Sequence, residues 1–81
     1  MTLETFDPKT AGLKDWEKTI SWKDRIILEN KKTGMQVRIH KVKNSYRVWF
    51  IDPSGYEPYD ETFEKVEDAI NAFTTMEGKL W

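Results

Sequence analysis

Four side chains stand out for the chemistry their types and spacing support: Arg38, His40, Arg47 and Trp49. Each pair is two residues apart, so on extended backbone each pair shares a face. Arginine grips phosphate through a planar fork of donors. An aromatic ring set among cations offers a face to a base or to a protein partner. Lys31, Lys32, Lys41 and Lys43 widen the basic stretch around them. The chemistry these types share is the binding of an anionic polymer, with nucleic acid foremost.

Other chemistries find less material. His40 is the sole histidine, and general acid–base work needs a partner within hydrogen-bond reach. Flanked by Arg38 and Lys41, it reads as a surface residue. Ser21, Ser45 and Ser54 sit in no nucleophile elbow or triad pattern. Without cysteine there is neither a thiol nucleophile, a disulfide nor a zinc–thiolate site. Asp52, Glu57, Asp60 and Glu61 make an acidic stretch whose spacing does not follow a calcium loop, so it reads as a solvated turn. The glycines at 34, 55 and 78 are isolated and form no phosphate-cradling loop. Neither a catalytic role, a metal, a cofactor nor a small-molecule substrate is expected.

The chain as a whole bounds the answer further. It has 81 residues, a formal net charge of −1, 33% charged and 14% aromatic residues. That suits one small domain over residues 1–81 with an aromatic-rich core, and not a disordered tail. No apolar run approaches the roughly 18 residues of a membrane span. Residues 1–7 are short, acidic and lack the apolar stretch of a secretory signal, so a cytoplasmic protein is expected and no membrane partner. The near-zero net charge hides a segregation. Residues 23–51 carry a net +6 and residues 52–81 a net −6, as in a molecule with two opposed faces.

Hydrophobic periodicity supplies the elements that position these groups. Asp7-Pro8 has the form of a helix start, and Leu13, Trp16 and Ile20 follow near helical spacing. The reading is a short helix over about 8–19, within an arm of residues 1–21. From Trp22 the period becomes two and runs to Glu29. The stretch 30–34 is a turn, with Gly34 available for positive φ. Met35, Val37 and Ile39 alternate with Gln36, Arg38 and His40. After a turn at 43–45, Tyr46, Val48 and Phe50 alternate with Arg47, Trp49 and Ile51. Asp52-Pro53-Ser54-Gly55 suits a type I turn. Residues 56–63 return as a short edge strand, the position where Pro58 is tolerated. A helix over about 64–77 puts Val66, Ala69, Ile70 and Phe73 on one face and stops near Gly78, leaving a tail of 78–81 in which Leu80 and Trp81 fold back onto the core or fray.

The expected fold is α+β: a small two-layer domain with an antiparallel three-stranded or four-stranded meander over residues 22–63, packed on a C-terminal helix. One sheet face, Ile26, Leu28, Met35, Val37, Ile39, Tyr46, Val48 and Phe50, meets the helix. The other presents Lys23, Arg25, Ile27, Gln36, Arg38, His40, Arg47, Trp49 and Ile51. Two readings of that second face stand side by side. It is a solvated face with Trp49 and Ile51 covered by the N-terminal helix through Leu13 and Trp16, or it is a binding face.

The stretch from Tyr46 to Gly55, followed by Phe63, Glu67-Asp68-Ala69 and Phe73, resembles the three-stranded-sheet-plus-helix modules at the amino end of phage-type integrases and their AP2-domain relatives. The resemblance spans roughly residues 36–74 and rests on hydrophobic spacing and one turn. In that family the sheet lies in the DNA major groove. By position, the resemblance makes Arg38, His40, Arg47 and Trp49 the DNA-facing residues. The return strand, commonly basic there, carries Glu57, Asp60 and Glu61 here. The element order is also similar to that of double-stranded-RNA-binding domains, but Glu64, Glu67 and Asp68 stand where those domains present lysine.

The expected function is a small non-enzymatic binding domain whose partner is nucleic acid, DNA ahead of RNA. The site residues are Arg38, His40, Arg47, Trp49, Lys31, Lys32, Lys41 and Lys43. The alternative is a protein-interaction module or inhibitor of the mobile-element type that uses an acidic face.

Overall fold

The computed structural model describes residues 2–79. A short 3-10 helix (Leu3–Thr5) leads into five strands and one helix: β1 (Trp16–Trp22), β2 (Arg25–Asn30), β3 (Gln36–Val42), β4 (Ser45–Ile51), β5 (Tyr59–Phe63) and α1 (Val66–Met76). The strands form one antiparallel sheet in the order β1-β2-β3-β4-β5. The α+β class and the meander are as expected, and the sheet has five strands where three or four were read. Among the described residues no helix is long and apolar enough to cross a membrane. Leu80 and Trp81, expected to fold back or fray, lie outside the described residues.

The extra strand comes from the segment read as a helix over 8–19. Asp7 Oδ1 does accept the Lys9 amide at 3.0 Å, and the amides of Ala11 and Leu13 bond back to the Pro8 carbonyl. The start signal is therefore real, but the turn it begins ends at Gly12, whose φ of +84° is left-handed. Beyond it, Trp16 to Trp22 pair with β2. The register shifts between Lys18 and Ile20, leaving Thr19 as the odd residue of a β-bulge. That extra residue explains the misreading: it breaks the period of two, so Trp16 and Ile20 look helical while standing on opposite sheet faces.

The buried face matches the alternation read from the sequence. Ile26, Leu28, Met35, Val37, Ile39, Val48 and Phe50 are buried against Val66, Ala69, Ile70 and Phe73, with Tyr46 packed at the margin. Trp16 joins them. It meets Phe73 edge-on at 4.9 Å between ring centroids and Phe50 at 6.3 Å, and its Nε1 donates to Glu77 at 3.2 Å. The N-terminal arm lies on this same side. Leu3 and Phe6 are buried, Phe6 meets Phe73 at 5.9 Å, and Lys18 Nζ donates to the carbonyls of Glu4 and Phe6. The arm therefore thickens the core and does not cover Trp49 and Ile51, as one reading had it.

The turns alternate between the two ends of the sheet. At one end are the two-residue connections 23–24 and 43–44, with Lys43 at φ 58°. At the other are 31–35 and 52–58. There the Asp52 turn closes as expected, with the Gly55 amide donating to the Asp52 carbonyl at 2.9 Å. Gly34 needs its φ of +79° and faces Pro53 across this end.

Candidate nucleic-acid interface

Strand register carries the polar face. Cα pairing runs Trp22 to Arg25, Arg25 to His40, His40 to Arg47 and Arg47 to Thr62, one row across all five strands. The next row runs Ile20, Ile27, Arg38, Trp49 and Asp60. Adjacent rows on one face lie within reach of long side chains, so three arginines surround one histidine.

The rings and guanidinium groups are stacked. Arg47 lies 4.1 Å over the centre of the Trp49 ring, and Arg25 lies 5.2 Å over Trp22. His40 meets Trp49 edge-on at 4.6 Å. Trp49 is only 7% exposed although it is on the outer face, because Arg47 and His40 lie against it. Trp22, by contrast, is 57% exposed. It lines a concave site of about 570 Å³ at the end of the sheet, together with Lys23, Asp24, Arg25, His40, Lys41 and Val42.

The electrostatics follow from this crowding. Burial, and then the charges of Arg25, Arg38 and Arg47, hold the His40 imidazole below its ordinary value. Nε2 of His40 and Nε of Arg38 are buried with no hydrogen-bond partner. Arg47 is different. Its Nε and Nη2 donate to the two Asp60 oxygens at 2.9 and 2.6 Å, and this pairing holds the Asp60 carboxyl below its usual range. Asp60 thus neutralises one edge of the basic face.

The residues singled out from the sequence divide into groups. Arg38, His40, Arg47 and Trp49 come together at the centre of the face. Lys41 borders the concave site, and Lys43 occupies the adjacent β3–β4 turn. Lys31 and Lys32 lie in the β2–β3 turn at the far end, where Lys31 bonds to both Glu17 and Glu29 at 3.3 Å. Trp22 and Arg25 complete the His40 row and were not among the site residues. The signal for them is Lys23-Asp24, a polar dipeptide between two alternating stretches. Read as a turn, it places Trp22 opposite Arg25. Read as continuous strand, it places Trp22 on the core face.

No family model matches this chain, and no curated protein or solved structure matches it at a significant level.

Proposed function

We propose that the chain is a small non-enzymatic nucleic-acid-binding domain, with DNA as its ligand and the polar sheet face as its surface. The observation that carries this reading is the row Trp22, Arg25, His40 and Arg47, with Arg38 in the row behind it. Four adjacent strands bring cations and an exposed indole to one end of the face, and Lys41 adds to them at the concave site. Phosphate neutralisation dominates nucleic-acid affinity, and it depends on local charge more than on the chain total. The surroundings of His40 support binding over catalysis: its neighbours are arginines and Trp49, a set that provides no base–nucleophile pair.

A two-dimensional amide NMR titration with a short DNA tests the reading. Shifts are expected at residues 22–25 and 36–49, and they should reverse between about 50 and 200 mM salt. Arg25→Ala with Arg38→Ala should abolish them and leave the remaining spectrum folded. Absence of shifts at low salt, or a double variant that binds like the parent, would sink the proposal.

A second reading, a module that docks a basic protein partner, draws support from the opposite edge. Tyr59, Phe63, Ala72 and Met76 line an open groove of about 490 Å³ between β5 and α1, with Asp68 at its border. Binding of a basic protein there, with no response to DNA, would favour it.

A further inference from the structure

The two tryptophans of the polar face are not equivalent, and the difference bears on the form of nucleic acid. Trp49 lies beneath Arg47 and against His40, so its faces are occupied within the fold. Trp22 stands at the end of the edge strand β1, with Arg25 over one face of its ring at 5.2 Å, and is still 57% exposed. Next to it in the concave site are Val42, also exposed, and the cations Lys23, Arg25 and Lys41, against one acid, Asp24. The Lys41 amide donates to the Asp24 carbonyl at 2.8 Å, which ties the β1–β2 turn to β3. The site is therefore held by backbone and not by side chains alone. Its volume of about 570 Å³ falls within the usual range of small-ligand sites.

An aromatic and an aliphatic surface beside clustered cations complements a group that is flat and apolar at one end and anionic at the other. An unpaired nucleotide is such a group. In a duplex the base faces are stacked on one another, and only edges and phosphates reach a protein surface. We infer that the site between the β1–β2 turn and the end of β3 takes one unpaired nucleotide, its base on Trp22 and Val42 and its phosphate on Arg25 and Lys41. The domain therefore prefers single-stranded DNA to duplex. This rests on the nucleic-acid reading above and specifies the form of ligand.

Fluorescence anisotropy separates the two claims. The probes are a labelled thymidine strand of about 12 nucleotides, an abasic strand of the same length and a duplex of the same length. The single strand is expected to bind about tenfold or more tightly than the duplex. Trp22→Ala should weaken single-strand binding by about tenfold, as loss of a base–aromatic stack does. It should leave binding of the duplex and of the abasic strand unchanged, and Trp22→Phe should restore most of the loss. Thermal melting of Trp22→Ala at the parental temperature shows that the variant is folded. A duplex that binds as tightly as the single strand, or a Trp22→Ala variant that binds all three probes like the parent, overturns this inference and leaves the nucleic-acid reading standing. Failure of all three probes to bind at low salt overturns both.

Discussion

The guanidinium of Arg47 covers the ring of Trp49 at 4.1 Å, two residues along the same strand, while its donors engage Asp60 on the neighbouring strand. One arginine thus shields an indole and is itself held by a carboxylate. Trp49 belongs to the structure of the sheet more than to its free surface, and this sets the first prediction. Trp49→Ala should cost about 3–5 kcal/mol, as truncation of a buried aromatic does. Trp22→Ala should stay within about 0.5 kcal/mol of the parent, as exposed substitutions do. Urea denaturation of both variants checks the pair.

Asp60 competes with any external anion for Arg47. Asp60→Asn removes the competing charge and frees the guanidinium. DNA affinity should rise, and the dependence of log affinity on log salt should steepen by about one phosphate contact. Titrations at several salt concentrations read both quantities. An Asp60→Asn variant with unchanged affinity and salt slope would place Arg47 outside the interface.

His40 predicts a pH dependence of stability. Burial and then Arg25, Arg38 and Arg47 hold the folded-state value below the ordinary 6.5, so the unfolded chain takes up a proton at higher pH than the folded one. The stability due to the neutral ring is present above about pH 6.5 and is lost as pH falls below it. Asp52 and Asp60 are also held below their ordinary value of 3.8, so their contributions are lost only at much lower pH. Melting temperatures between about pH 7 and pH 5 should therefore fall for the parent, and less for His40→Gln.

Gly34 tests the far end of the sheet. Its φ is +79°, and a Cβ there would lie 3.1 Å from Pro53 Cγ. Gly34→Ala should lower stability by about 1–2 kcal/mol from the backbone conformation alone. Because this end is remote from the His40 row, DNA affinity should not change. A denaturation curve and a binding curve on the same variant separate the two effects.

Much of the fold was legible because an antiparallel sheet with one buried face repeats every second residue. Ile26, Leu28, Val37, Ile39, Val48 and Phe50 follow that rule, and they lie in the core as read. The Asp52 turn was legible for a different reason: Asp52 Oδ1 accepts the amides of Ser54 and Tyr56, a bonding pattern local enough to appear in five letters. β1 was hidden by the bulge at Thr19, which puts Trp16 and Trp22 on opposite faces. Local sequence carries no mark of such an irregularity, since it is stabilised by pairing with β2. The centre of the basic face could be read from Arg38, His40, Arg47 and Trp49. What could not be read was which tryptophan stays open. That depends on contacts across strands, from Arg47 and His40 to Trp49, and on the turn that brings Trp22 opposite Arg25.

The strictly sequential strand order has a kinetic consequence. Every sheet pairing joins neighbours in the chain, so each hairpin closes a short loop at small entropic expense. Long-range closures bring the N-terminal arm and the first strand onto the helix, as in Phe6 to Phe73, Trp16 to Phe73 and Trp16 to Glu77. The sheet can therefore zip together by local steps, and the docking of α1 on Trp16 comes late. An interrupted refolding reaction should show amide protection in β2 to β4 before the Trp16 indole reaches its native environment.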